Sequence, residues 1–67
     1  MEGRELSFFR LYLKKYLTDT ENPLMDDDEF INARADEAEI EFEERRRDGL
    51  TVYQAQELAL AVLMEGL

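Results

Sequence analysis

The sequence predicts an all-α fold, a small three-helix bundle that associates as a dimer. Apolar residues recur at helical spacing in three segments, and no segment alternates as a strand would. The stretches "TDTENP" and "RRRDGLT" separate these segments with proline and glycine, the residues that most often end helices. The third segment is apolar around most of its circumference, which predicts that part of it is covered by another chain.

The first helix is predicted over residues 4–19. Its apolar residues cover about half of a helical wheel, and they are Leu6, Phe8, Phe9, Tyr12, Leu13, Tyr16 and Leu17. Pro23 cannot continue a helix and biases Asn22 away from helical angles, so the helix ends before them. Arg10, Lys14 and Lys15 lie outside the centre of the apolar face. We expect the two lysines to meet carboxylates of the second helix.

The second helix is predicted over residues 27–47. Asp26 as N-cap and Glu29 three residues later match an acidic variant of the capping box. A narrow apolar stripe faces the core and consists of Ile31, Ala35, Ala38 and Phe42. The three arginines at 45–47 suit the negative end of the helix dipole, and Gly49 supplies the left-handed residue that ends the helix.

The third helix is predicted over residues 52–65. Thr51 and Gln54 form a capping box at its start, and Gly66 is placed to end it. One apolar stripe holds Val52, Ala55, Ala59, Val62 and Leu63, with Leu58 at its edge. The other holds Tyr53, Leu60 and Met64, with Leu67 in line. The short connection to the second helix predicts that the two are antiparallel neighbours.

The length of 67 residues allows one domain, residues 1–67. A chain of this size buries only about 60% of its unfolded surface, so its core gives marginal stability. Small domains compensate with disulfides, a structural metal or oligomerisation. The sequence has no cysteine and no histidine, which excludes disulfides and the usual zinc ligand sets. Oligomerisation is the device that remains.

The net charge of −9, from 17 acidic and 8 basic residues, repels a phosphate backbone and disfavours nucleic-acid binding. No secretory signal is visible in "LSFFRLYLKKYL", because Arg10, Lys14 and Lys15 interrupt it. No apolar stretch reaches the ~20 residues of a membrane span, and a basic amphipathic helix for a membrane surface would need a stronger positive face. We therefore expect a cytoplasmic protein that binds neither nucleic acid nor membrane.

The segments "LSFFRLYLKKYL", "FINARADEA", "RRDGLTVYQAQELA" and "LMEGL" resemble an uncharacterised family of short acidic helical proteins from Bacteroidetes, classed as a domain of unknown function. The resemblance covers nearly the whole chain. It implies a compact helical fold, and it implies no activity, substrate or catalytic residue.

Candidate chemical motifs are better explained by helix formation. In "DDDE", residues 26–29, the aspartates are consecutive and no glycine follows, so helix capping explains them better than a calcium loop does. Glu37, Glu41 and Glu44 share one side of the second helix, where arginines lie within helical reach and a solvated face is the ordinary explanation. Ser7 is the single serine and lies in no nucleophile motif. We predict no catalytic residue, no metal, no cofactor and no enzymatic activity.

The surplus of apolar surface predicts a homodimer or contact with another protein partner. Its candidate interface residues are Tyr53, Leu60, Met64 and Leu67 of the third helix and Leu11 of the first. The second helix would then lie outermost. The alternative function is an acidic regulator, a nucleic-acid-mimicking decoy that binds a basic protein and uses residues 26–29 and 37–44 to imitate a phosphate track.

Overall fold

The computed structural model describes residues 8–67, which contain three α-helices, one short 3-10 helix and no strand. Helix α1 is Phe8–Asp19, the 3-10 helix is Pro23–Asp26, α2 is Asp28–Arg47 and α3 is Val52–Leu63. The radius of gyration of 12.0 Å is close to the ~11 Å expected of a compact chain of this length. The predicted all-α three-helix bundle is confirmed. The predicted start of the first helix at Arg4 lies outside the described residues.

Helix α1 buries a narrower face than its sequence predicts. Phe9, Leu13 and Leu17, spaced four residues apart, are buried. Phe8 and Tyr12, predicted on the buried half of the wheel, are 50% and 41% exposed. The reason is that α1 packs mainly against α2 and touches α3 only slightly, so one neighbour covers one stripe.

The turn after α1 is a short 3-10 helix that the sequence analysis did not predict. Pro23 occupies its first turn, and the side-chain oxygen of Asn22 accepts the Leu24 N–H at 2.9 Å. Asp26 ends this helix, so the prediction that Asp26 caps α2 is wrong. The N-cap is Asp27, whose carboxylate accepts the Phe30 N–H at 3.1 Å. The fixed φ of Pro23 favours a 3-10 turn that includes Asp26 as its last residue. The N-cap of α2 therefore falls one residue later, at Asp27.

Helix α2 contacts both other helices, whereas α1 and α3 touch each other only slightly. That α2 lies outermost in a dimer stays a prediction. Its buried residues are Ile31, Ala35 and Ala38, as the predicted stripe requires, and Phe42 packs against them while partly exposed. The contact of α2 with α3 is the most extensive in the fold. It uses small side chains on both helices, since Ala55 and Ala59 of α3 are fully buried.

The start of α3 is formed as its sequence predicts. Thr51 Oγ1 accepts the Gln54 N–H, and the Gln54 side chain accepts the Thr51 N–H, both at 3.1 Å. Gly49 has a φ of 100°, the left-handed conformation expected at the end of α2. The end of α3 differs, because the helix stops at Leu63 and Met64 is its C-cap, two residues before the predicted end.

Arg34 of α2 caps the C-terminal end of α3. Its guanidinium Nη1 donates to the carbonyl oxygens of Leu63 and Glu65 at 3.0 and 2.7 Å. The last turn of α3 has no basic residue of its own. A cation from the neighbouring helix therefore satisfies carbonyls that a helix end leaves unpaired. This contact also shows that α2 and α3 are antiparallel, because Arg34 is in the first half of α2.

Candidate interaction surface

Large apolar side chains remain exposed on all three helices. In the described part of the chain, eight such residues are at least 37% exposed, and they are Phe8, Leu11, Tyr12, Ile40, Val52, Tyr53, Leu58 and Leu67. The buried core contains nine residues, four of which are alanine: Phe9, Leu13, Leu17, Ile31, Ala35, Ala38, Ala55, Ala59 and Leu63. Among the described residues, the fold thus leaves more large apolar residues exposed, eight, than the five it buries.

The five predicted interface residues differ in how far they are exposed. Tyr53, Leu11 and Leu67 are exposed by 71%, 52% and 37%. Leu60 and Met64 are partly buried and pack against the core of the monomer, and their place in a subunit interface stays a prediction. Roughly 17 Å of helix separates Tyr53 from Met64, which places them at opposite ends of α3.

Tyr53 makes a polar interaction with its own helix. Glu57, one turn further on, raises the pKa of the Tyr53 phenol above its usual value of 10.0 through hydrogen bonding and through its negative charge. The ring is nevertheless the most exposed large apolar side chain of the described residues. Tyr53 therefore offers an apolar ring to a partner while its hydroxyl is held near a carboxylate.

A continuous apolar face covers the N-terminal half of α1, and we call it the α1 face. It consists of Phe8, Leu11 and Tyr12, which are neighbours on the helix surface at spacings of three and four residues. The Phe8 and Tyr12 rings are in contact, with centroids 5.7 Å apart. The sequence predicted Leu11 as a surface residue and placed Phe8 and Tyr12 in the core. The wheel pattern of α1 contains no signal that would separate them from Phe9 and Leu13.

A groove opens beside the α1 face, where the three helices meet. It has a volume of about 380 Å³ and is lined by Phe8, Phe9, Glu39, Phe42, Glu43 and Gln56. Its aromatic part is continuous, since the Phe9 ring lies 5.4 Å from that of Phe8 and 6.1 Å from that of Phe42. Its polar part is two carboxylates of α2 and one amide of α3. The groove could not be predicted from the sequence, because its lining residues come from three helices and are brought together by the fold.

The two carboxylates of the groove form no ion pair with another described residue. Within residues 8–67, no ion pair or side-chain hydrogen bond reaches Glu39 or Glu43, whereas Arg45 pairs with Asp48 at 3.1 Å. The expectation that α1 lysines meet α2 carboxylates fails for Lys15, which binds Asp19 of its own helix at 3.1 Å. The cation that reaches α2 from α1 is that of Arg10, which donates to the side-chain oxygen of Asn32.

The acidic run at residues 26–29 takes part in helix formation. Asp26 ends the 3-10 helix, Asp27 caps α2, and Asp28 and Glu29 form the first turn of α2, where the dipole favours negative charge. No group of three or more potential metal ligands comes together among the described residues. No helix within that same range is long and apolar enough to cross a membrane.

Comparison with known proteins identifies a family. A family model described as a domain of unknown function, DUF1896, matches residues 1–67, so the chain belongs to that family. No curated protein and no solved structure matches the chain.

Proposed function

Within this family of unknown function, we propose that the protein acts through protein–protein contacts as a non-enzymatic cytoplasmic protein and forms a homodimer through the α1 face. The polar side chains that the described residues place in the groove are two glutamates and a glutamine, with no serine, threonine, cysteine or lysine among them. The observation that carries the proposal is the exposure of Phe8, Leu11 and Tyr12 side by side on one helix.

The size of the α1 face supports a weak dimer. An aromatic side chain carries roughly 200 Å² of surface, so three large side chains exposed by about half present roughly 300 Å². Patches of that size on a monomer are often functional. Two copies would bury about 600 Å², which is below the ~1,200 Å² of a standard interface. The contact must therefore extend beyond the α1 face or remain weak.

The surface extends across the groove toward α3. Gln56 lines the groove on the α3 side, and Tyr53 and Leu60 are its helix-surface neighbours at spacings of three and four residues. Tyr53 thus enters the proposed interface together with the exposed edge of Leu60. Leu67 and Met64, at the other end of α3, are left outside it.

The net charge of the chain opposes self-association. Each copy carries a charge of −9, so two copies repel one another over distances longer than the apolar contact. Salt screens this repulsion, with a Debye length of about 10 Å at 0.1 M ionic strength. Dimerisation through an apolar face should therefore strengthen as salt is added.

The experiment that tests the dimer compares two variants that each place a glutamate at an exposed apolar position. Leu11 is 52% exposed within the α1 face, and Ile40 is 56% exposed on α2, opposite the buried Ile31 on the helical wheel. Neither substitution opens the core, so both variants should stay folded. We expect the wild type to exceed its monomer mass of 7.9 kDa in light scattering at high micromolar concentration. Leu11→Glu should return the mass to that of a monomer, and Ile40→Glu should leave the dimer intact.

Two results would contradict this proposal. One is a wild type that stays monomeric at every accessible concentration, and the other is disruption by Ile40→Glu with no effect of Leu11→Glu. Leu60→Glu is unsuitable as a test because Leu60 packs against the core, and a charge there would destabilise the monomer itself.

A second candidate function is the binding of a basic protein, and the exposed side of α2 favours it. Ile40 is exposed, and the four positions one turn away from it are all acidic: Asp36, Glu37, Glu43 and Glu44. An apolar anchor within a ring of carboxylates is complementary to a basic partner with an apolar residue of its own. Salt should weaken such a complex strongly, in contrast with its effect on the homodimer.

A further inference from the structure

We infer that the groove between α1, α2 and α3 binds an arginine side chain of a basic partner protein. The inference rests on the second candidate function and assigns a specific site to it. The groove volume of about 380 Å³ is at the small end of the range of ligand pockets, which suits one long side chain better than a whole cofactor.

The aromatic lining provides a surface for a guanidinium group. Phe8 and Phe42 are partly exposed in the groove, with the buried Phe9 ring between them. Arginine is the cation that stacks most readily on aromatic faces, because its guanidinium is planar and weakly hydrated. The chain already contains such a contact, since the guanidinium of Arg34 lies 5.0 Å from the centroid of the Phe30 ring.

The carboxylates supply the charge that such a ligand needs. Glu39 and Glu43 are one helical turn apart on α2, so both can be directed at one cation in the groove. A guanidinium can bind a carboxylate through two parallel hydrogen bonds, which a lysine ammonium cannot do. Among residues 8–67, the lining of the groove contains no basic side chain to offset its two carboxylates.

The test uses a short capped peptide, Gly-Gly-Arg-Gly-Gly, and the same peptide with citrulline in place of arginine. Citrulline keeps the shape of the side chain and removes its charge. The arginine peptide should shift the amide signals of Phe42, Glu43 and Gln56 in a two-dimensional NMR titration, with saturation. The citrulline peptide should bind at least about tenfold more weakly, because the charge-assisted hydrogen bonds are lost.

A matched pair of double variants distinguishes binding in the groove from binding to the acidic surface as a whole. Glu39→Gln/Glu43→Gln and Asp36→Asn/Glu37→Gln each remove two negative charges from α2, and each changes the net charge from −9 to −7. The first variant should raise the Kd of the arginine peptide about tenfold or more. The second variant should leave that Kd nearly unchanged. Circular dichroism checks that both variants keep their helices.

Equal weakening in the two double variants would overturn the inference, since it would show binding to the acidic surface as a whole. Equal binding of the two peptides, or signal shifts confined to other parts of α2, would do the same. Binding of a basic protein outside the groove would leave the second candidate function intact while overturning the groove assignment.

Discussion

Removing the cap that Arg34 provides should destabilise the protein, because two carbonyl oxygens at the end of α3 lose their donor. Arg34→Met keeps most of the aliphatic stem and removes the guanidinium, whose central carbon lies 5.0 Å from the centroid of the Phe30 ring. It removes the donor that reaches the Leu63 and Glu65 carbonyl oxygens at 3.0 and 2.7 Å. The perturbation therefore acts on the end of α3 and leaves the apolar core unchanged.

The magnitude follows from the contacts that are lost. A hydrogen bond from a charged donor contributes about 1.5–3 kcal/mol when buried, and Arg34 is only partly buried, so about 1 kcal/mol for each of the two bonds is reasonable. The charge at the C-terminal end of a helix contributes a further ~0.3–1 kcal/mol, which overlaps with the hydrogen bonds. We expect a loss of about 2 kcal/mol in the free energy of unfolding, equivalent to a Tm lower by about 8–16 °C.

The assay is urea unfolding followed by circular dichroism, with two control variants. Arg34→Lys retains a charge without the forked geometry and should lose about 1 kcal/mol. Arg46→Met removes an exposed arginine that donates a single bond, to the Leu50 carbonyl oxygen at 2.9 Å, and should lose at most about 0.5 kcal/mol. Equal unfolding midpoints for Arg34→Met and Arg46→Met, with equal slopes, would refute the proposed cap.

Three further predictions concern single features of the chain. Thr51→Ala removes the side-chain acceptor of the Gln54 N–H and should lower the free energy of unfolding by about 1 kcal/mol, measured from urea midpoints. The Tyr53 phenol should titrate above pH 10.0 in ultraviolet absorbance, and Glu57→Gln should bring its pKa down toward that value. Because its pKa is raised in the folded state, Tyr53 stabilises the fold below pH 10.0, and this contribution is lost as pH rises through the folded pKa. The protein should show no affinity for duplex DNA or RNA at physiological salt in an anisotropy titration, and micromolar binding would contradict the argument from its net charge of −9.

Features set by neighbours in the sequence could be predicted from the sequence. The capping box of Thr51 and Gln54 and the left-handed Gly49 depend on residues at most a few positions apart, and both are present. The N-cap of α2 was misplaced by one residue because the turn started by Pro23 includes Asp26. Local signals thus determined where helices begin and end to within a few residues.

How far neighbouring helices cover an apolar face could not be predicted, nor could side-chain contacts between distant residues. The helical wheel of α1 gives the width of its apolar arc, and it does not give the number of helices that cover the arc. One main neighbour covers Phe9, Leu13 and Leu17 and leaves Phe8 exposed. The Arg34 cap joins residues 29 and 31 positions apart, for which no local pattern exists.

The apolar surplus of α3, which first suggested association, has two physical explanations in the structure. Leu60 and Met64 extend the monomer core, because a core with four alanines leaves room for partly buried neighbours. The polar Gln54 and Glu57 occupy the exposed side of the helix, as amphipathic packing requires. Val52, Tyr53 and Leu58 stay exposed on α3, while Phe8, Leu11 and Tyr12 lie side by side on α1. The contiguous patch on α1 is therefore the stronger candidate for a dimer contact.

The two proposed contacts share one residue, and this couples them. Phe8 belongs to the α1 face and also lines the groove, so a partner copy that covers Phe8 narrows access to Glu39 and Glu43. An arginine bound in the groove would reciprocally weaken dimerisation by the same factor, because binding free energies of linked sites are reciprocal. Salt affects the two contacts in opposite ways. Low salt strengthens the complex with a basic partner and weakens the dimer, whereas high salt does the reverse. A basic partner would therefore bind preferentially to the monomer.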